Sequence, residues 1–305
     1  MPTGKPKPCK RENPVYFCSA YPITVLNKTI AFLLVVSTIT AVSPGCRNRE
    51  TGQQPQQPVT LAFNLQTDST CNYIIDNQLT LLPEVQGQTL HITQQLKLAV
   101  ALHILGKNRF GKNTEITYNR IVIGSDNGAE RKTYDSDDTT TSEPLVTQIR
   151  KLVHNPYILL IRPNGVVMTN EDADSNTLFT DSSIRKMVAQ CLYIYPDAAV
   201  KPGDTWSKVY STSVGFLGII VNTRYTLSGI TGGVAHIDVD GKVTPLDSTQ
   251  NMAFKGVQSG NIDVDISTGT IITSKISQQL SGTITTDGKA NPVNATAELT
   301  ISKEN

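Results

Sequence analysis

The feature that most restricts this chain lies between Leu90 and Ile104. There Leu90, Ile92, Leu96, Leu98, Val100, Leu102 and Ile104 share one parity, and His91, Thr93, Gln95, Lys97, Ala99, Ala101 and His103 share the other. Only Gln94 breaks the apolar set. A period of two held this long is a strand with one face buried and one in water, roughly 50 Å at about 3.3 Å per residue, or two strands meeting at a bulge. Long strands of this kind build curled antiparallel sheets. The face carrying Leu96, Leu98, Val100 and Leu102 is expected to point into the concave side.

The same period returns toward the C-terminus. Ile262, Val264 and Ile266 alternate with Asp263 and Asp265, a turn is expected at Ser267, Thr268 and Gly269, and Ile272, Ile276 and Leu280 continue beyond it. Val293, Ala295, Ala297, Leu299 and Ile301 then alternate with Asn294, Thr296, Glu298 and Thr300. Ile219, Val221, Tyr225 and Leu227 predict a strand joined through Gly232-Gly233 to Val234–Val239, and Asp240-Gly241 reads as the next hairpin turn. The parity change from Ile116 and Tyr118 to Ile121 and Ile123 predicts a bulge near Asn119. Pro163-Asn164-Gly165 predicts a further hairpin. Two stretches read as helix: Leu145, Ile149, Leu152 and Val153 after Pro144, and Ile184, Met187, Val188 and Cys191 after the capping candidate Asp181, stopped by Pro196. The expected fold is mainly β with two short helices, an α+β arrangement. Its antiparallel meander curls into a half-barrel or open barrel that the helices partly plug.

Composition agrees, with 17% charged residues and 38% hydrophobic ones. Against 27 Lys+Arg stand 26 Asp+Glu, so no basic field exists to gather nucleic acid.

The N-terminal region reads as an address. Ile30–Val42 is a short apolar run preceded by Lys28 and followed by Ser43, Pro44, Gly45 and Cys46, the arrangement of a lipoprotein signal peptide in which Cys46 is acylated and becomes the first residue. Ordinary secretion or a retained anchor are the alternatives. Residues 1–45 are then leader, and an upstream start assignment accounts for its length. Its loss would change the formal charge from +1 to −3. Residues 46–58, with Gln53, Gln54, Pro55, Gln56, Gln57 and Pro58, read as a tether that cannot offset its ordering entropy by burial. Residues 59–305 are expected to form one antiparallel β domain. The implied location is the bacterial cell envelope, lipid-anchored at the outer membrane.

Pro196, Lys201, Pro202, Gly203, Asp204, Thr205 and Trp206, then Tyr225–Ile230, then Gly256–Gly260 with Gly269, form a series of turn and strand signatures. Asn119, Arg120, Ile121 and Tyr134-Asp135-Ser136 precede them. Together they resemble a family of uncharacterised bacterial lipoproteins common in Bacteroidota, over roughly residues 59–303. The resemblance implies a compartment and a fold type but no activity. The architecture also resembles the half-barrels of periplasmic lipoprotein carriers, an analogy of shape alone.

Individual motifs weigh toward structure. Pro202-Gly203 presets a type II turn after which Trp206 opens a strand with its ring buried; stacking on a ligand is the alternative role. Asn170, Asp172, Asp174, Asn176 and Asp181 have calcium-loop spacing, but Ser175 replaces the turn glycine and Asp181 the usual glutamate, so a solvated loop is expected and no metal. Asp238-Val239-Asp240-Gly241 needs no metal as a turn. The histidines, His91, His103, His154 and His236, have no ligand spacing, and no phosphate loop, nucleophile elbow or Cys-x-x-Cys is present. No cofactor and no enzymatic activity are expected. Cys71 and Cys191 either pair in an oxidising envelope or remain buried thiols. Two functions follow: a binding or structural module engaging protein or glycan partners, or a carrier or sensor of an apolar ligand lined by Leu96, Leu98, Val100, Leu102 and Trp206. They differ in whether the concave side is filled by its own side chains or left open.

Overall fold

The structure, a computed structural model, describes residues 57–85, 87–168, 181–214, 217–246, 252–286 and 289–304. The readings for Cys46, for the leader and tether up to residue 56, and for Asn170, Asp172, Asp174 and Asn176 lie outside the described residues. All described residues belong to the compact unit Gln53–Asn305.

In chain order the elements are β1 (Thr70–Val85), β2 (Gln88–Thr89), β3 (Ile92–Lys107), β4 (Lys112–Asp126), β5 (Arg131–Asp135), α1 (Pro144–Leu152), β6 (Tyr157–Ile161) and β7 (Val167–Met168). There follow α2 (Asp181–Leu192), β8 (Thr205–Val214), β9 (Leu217–Thr231), β10 (Val234–Pro245), β11 (Met252–Asp265), β12 (Ile271–Thr286) and β13 (Lys289–Glu304). The strands lie side by side in the order β7, β6, β4, β3, β1, β13, β12, β11, β10, β9, β8, with β2 beside β1 and β5 beside β4. Neighbours run antiparallel throughout. The result is mostly β with two short helices, a single antiparallel sheet that is not closed and fits an open half-barrel.

β3 is the long strand, and Leu98, Val100, Leu102 and Ile104 are all buried. Its pairing with β4 slips where Ala99 faces Arg120 but Val100 faces Tyr118, so Asn119 is the bulged residue. That extra residue lets Tyr118 and Ile121 both point inward despite their opposite parity. Gly232 (φ 58°) and Gly233 (φ 84°) make the two-residue turn between β9 and β10, both in the left-handed conformation that a type I′ turn needs.

Two strand readings are corrected. Asp240-Gly241 is not a turn: β10 runs through it, with Asp240 opposite Arg224 and Ser259, and Gly241 opposite Thr223 and Gln258. The Asp240 carboxylate accepts from the Arg224 guanidinium across the strands (3.0 and 3.1 Å), and the glycine serves a close approach of backbones. A Cβ on Gly241 would lie 2.5 Å from the Asn222 carbonyl oxygen, and one on Gly256 or Gly260 in β11 would lie 2.0 or 2.1 Å from the carbonyl oxygens of Gln279 and Lys275 in β12. These glycines lie on the inner face of adjacent strands, and their missing side chains let the sheet coil tightly there. The second correction is Ile272, which is exposed while Ile271 is buried, because a bulge between Asp263 and Val264 shifts the register against β12.

The helices start near their expected positions. α1 buries Val146 and Ile149 and ends at Leu152, because Val153 turns extended and bridges to Tyr118. α2 ends four residues before Pro196 and buries Ile184, Val188, Cys191 and Leu192.

If close backbone approach is the reason for glycine in β11, Gly256→Ala will lower stability by roughly 2–4 kcal/mol, whereas Gly106→Ala will stay within about 0.5 kcal/mol. A Cβ at Gly106 meets nothing within 4 Å. Urea melts of the two variants beside the parent protein measure the difference.

Candidate functional site

The inner face of the sheet carries the chemistry this fold has to offer, and it is covered in two parts. The larger apolar cluster joins Tyr73 and Ile75 of β1, Leu98 and Leu102 of β3 and Ile301 of β13 to the buried stripe of α2. The extended residues Leu61, Phe63 and Leu65 and the loop residues Ile194, Tyr195 and Val200 complete it. A second cluster joins Leu79, Ile219, Val221, Val243, Phe254, Leu280, Val293 and Ala295 at the other end of the strands. Between them runs a buried polar row, in which the Gln258 amide donates to the Thr223 hydroxyl (2.6 Å) and Gln278 donates to the Gln258 carbonyl (3.1 Å). Lys208 continues the row on β8, opposite Thr223. Its side chain is only 4% exposed, and its ammonium pairs with the exposed Asp197 at 3.3 Å and lies 4.9 Å from the Tyr193 ring centroid. Hydrogen bonding from Asn164, and then the Lys208 charge, hold the Asp197 carboxyl below its ordinary range. Every member of this row thus has a partner, as buried polar groups require.

Under α2 the packing is less complete. Tyr73, Ile75, Leu102, Ile271 and Ile301 on the sheet face Val188, Cys191 and Leu192 on the helix across a crevice of about 10 Å³. That is room for about one water, far below the roughly 300 Å³ of a small-molecule pocket. The Tyr73 hydroxyl, on a residue 3% exposed, has no hydrogen-bond partner of acceptable geometry, although the Cys71 thiol and the Ile271 backbone amide are its polar neighbours. The buried Ser274 hydroxyl also lacks a partner, and Ser274 stands opposite Ile301 in the β12–β13 register. Burial pushes the Tyr73 phenol far above its ordinary range. It pushes the Cys191 thiol up to about 12 and the Cys71 thiol up as well, so both are protonated and unreactive at neutral pH. Both cysteines are free.

The residues expected to line a ligand cavity are placed as follows. Leu96, Leu98, Val100 and Leu102 share the inner face of β3 and belong to the larger cluster, and Leu102 borders the crevice. Trp206 stands across the sheet at the margin of the same cluster, half-buried rather than fully buried. Its ring stacks on Tyr225 (centroids 5.6 Å apart, 18° between planes), and its indole N–H donates to the Ile194 carbonyl (2.7 Å). It is occupied in holding the loop after α2. Cys46 lies outside the described residues. Among the described residues no three His, Cys, Asp or Glu side chains converge as metal ligands. Tyr73, Ser274 and Tyr195 are absent from the residues singled out by sequence. The available signal was the alternation Cys71, Tyr73, Ile75 resuming at Leu79 and Leu81, which marks β1.

Residues 174–271 match the model of a family of unknown function (DUF6263). A search of the curated proteins finds no match. Among solved structures the chain is similar to one of lipovitellin, described by its lipid–protein interactions, with a TM-score of 0.51 and 12% identity. The likeness covers 79% of this chain and 25% of that one, so this chain spans about a quarter of the lipovitellin chain, and at that identity the two share a fold alone.

Proposed function

We propose that this chain is a non-catalytic binding module of the bacterial cell envelope, held at the outer membrane by lipid on Cys46, and that it engages protein or glycan partners through its outer face and loops. The observation that carries this reading is the filled concave side. Leu98, Leu102, Val221, Val243 and Phe254 are all at most 1% exposed, so the described inner face offers no open apolar trough. The large apolar side chains in contact with water lie elsewhere. On the β6–β7 edge Ile158 (62% exposed), Leu160 and Met168 share the outer face, Met168 standing directly opposite Leu160. An apolar outer face beside the last strand of a sheet suits a partner that adds to that edge.

A photo-crosslinking residue at position 158, activated in intact cells, tests the reading. The expected outcome is one discrete adduct, lost when Met168→Lys is added. If positions 158, 209 and 257, all exposed on outer strand faces, give no adduct, the reading fails.

The second reading is a carrier or sensor of an apolar ligand. It is favoured by the crevice under α2 and by the fold likeness to lipovitellin, whose structure is described by lipid–protein interactions. The two readings separate in denaturant melts of Leu98→Ala and Leu102→Ala. A filled core predicts losses of roughly 2–5 kcal/mol, because truncation leaves a cavity. Losses near 1 kcal/mol, about the transfer value of one or two methylenes, with altered retention of a fluorescent fatty acid favour the carrier.

The anchor is tested by Cys46→Ser. The parent protein is expected to stay with membranes through a carbonate wash, because several acyl chains hold firmly where one holds marginally. The variant is expected in the soluble fraction, and full membrane retention would refute lipidation.

A further inference from the structure

We propose that the tip of the β3–β4 hairpin docks on an anionic lipid surface, with Phe110 entering the interface and Lys107, Arg109 and Arg162 meeting the lipid phosphates. The proposal rests on the anchor reading, which brings the chain to a membrane, and names the contact by which the folded domain meets it. Phe110 is 49% exposed at the tip, and Leu105 is exposed near the end of β3 on the same hairpin. The Arg109 guanidinium lies over the Phe110 ring, 4.5 Å from its centroid, so charge and apolar surface are presented together. Lys107 and Lys112 stand opposite each other at the base of the turn. Gly111 brings in a fourth cation. A Cβ there would lie 2.3 Å from the Ile161 carbonyl oxygen and 3.1 Å from the Arg162 Cα, so the turn is seated against the end of β6 with Arg162 beside it. No carboxylate among the described residues pairs with any of these four cations. Burial, and then repulsion from Lys107, hold the Lys112 ammonium below its ordinary range.

An exposed aromatic ring among unpaired cations matches the two layers of a bilayer surface, anionic at the headgroups and apolar beneath them. The turn can leave water without stranding its backbone. Asn108 Oδ1 accepts from the Phe110 and Gly111 amides (2.8 and 3.1 Å), and the Asn108 amide donates to the Gly111 carbonyl (2.9 Å). Placement in the fold agrees with the charge. Val59, the first residue to pair after the tether, is bonded to Val200, and six residues on the Leu65 carbonyl accepts from the Lys112 ammonium. The segment that follows the tether therefore runs along the same end of the sheet as the hairpin tip, and lipid on Cys46 holds that end toward the bilayer. Ile158 stands opposite Glu115, three residues along β4 from Lys112, about 10 Å farther from the tip. The apolar β6–β7 edge is thus left free for its own partner.

The experiment reconstitutes the full chain into vesicles of phosphatidylethanolamine with phosphatidylglycerol, or of phosphatidylcholine alone, each carrying a brominated lipid that quenches indole fluorescence on contact. The parent protein sets the background from Trp206. In the anionic vesicles Phe110→Trp is expected to add emission that is shifted to shorter wavelength and quenched by the brominated lipid, and Ile158→Trp to add emission that is not quenched. At roughly 1 kcal/mol for each basic residue near an anionic surface, Lys107→Gln with Arg109→Gln weakens docking about thirtyfold, and quenching at position 110 is expected to fall to background. The far-UV spectrum is expected to stay unchanged, because both side chains are exposed and the turn is held by Asn108 and Gly111. Vesicle-bound protein without quenching at position 110 overturns the proposal and leaves the anchor reading standing. Equal quenching at positions 110 and 158 lays the outer face on the bilayer and overturns the tip assignment. Equal quenching at position 110 in uncharged vesicles overturns the role of the cations. A photo-crosslinking residue at position 110 that captures a protein and no lipid in intact cells overturns the lipid partner. A parent protein that binds neither vesicle overturns the anchor and the docking site together.

Discussion

A sheet that does not close must be held in its curl by something other than strand pairing, and here the extended residues 59–65 do it. Val59 exchanges backbone hydrogen bonds with Val200 (2.8 and 2.9 Å), Phe63 donates to the Pro163 carbonyl in the β6–β7 turn, and Asn64 donates to the Thr268 carbonyl in the β11–β12 turn. The Lys112 ammonium at the start of β4 donates to the Leu65 carbonyl (2.5 Å). One short segment thus ties strands from both halves of the strand order, and its buried side chains Leu61 and Phe63 fill the space between them. Backbone bonds set the position of the strap, and burial supplies its stability. The turn glycine Gly269 is part of the same contact, because a Cβ there would meet the Ala62 carbonyl oxygen. Tyr195 adds its phenolic O–H as donor to the Gly269 carbonyl from the loop after α2.

The two ends of the concave side solve their covering problem differently. Where the strap and α2 lie, helix and loop side chains cover the sheet. At the other end Phe254, Leu280, Val293 and their neighbours pack against Ile219, Val221 and Val243. That contact is possible because Gly241, Gly256 and Gly260 let the four adjacent strands β9 to β12 crowd together. The polar row of Thr223, Gln258 and Gln278 marks the join. A buried amide row with every partner in place penalises any slip of one residue between β9, β11 and β12, since a slip would strand those groups without bonds.

Much of this was legible in local pattern. Parity alone placed β3, β9, β13 and the bulge at Asn119, and Gly232-Gly233 announced its turn, because these depend on nearest neighbours along the chain. Asp240-Gly241 has the same turn chemistry, yet it sits in mid-strand. What decides between the two is whether another backbone passes close by, and that is a property of Asn222 and Gln258, far away in sequence. Ile272 was misplaced for a related reason, since the bulge that turns it outward involves the partner strand. β1 was harder still. Polar residues at Asn77 and Thr80 dilute its alternation, and its place at the centre of the sheet comes from pairing with β13 at the opposite end of the chain.

The candidate site was legible only in pieces. The apolar stripe of α2 was visible in the spacing of Ile184, Val188 and Cys191, and so was the inner face of β3, but their meeting across Tyr73 depends on where the helix lands. An orphaned hydroxyl has no sequence signature at all. Tyr118 and Tyr157 show the contrast: two buried tyrosines in the same core whose hydroxyls bond each other at 2.8 Å. Tyr73 is as deeply buried and has only a thiol and a backbone amide near it, in a geometry that makes no bond. Packing alone gives no reason for a hydroxyl there, since phenylalanine would fill the same volume at lower cost. The position lies on β1 and faces the buried stripe of α2 across the crevice.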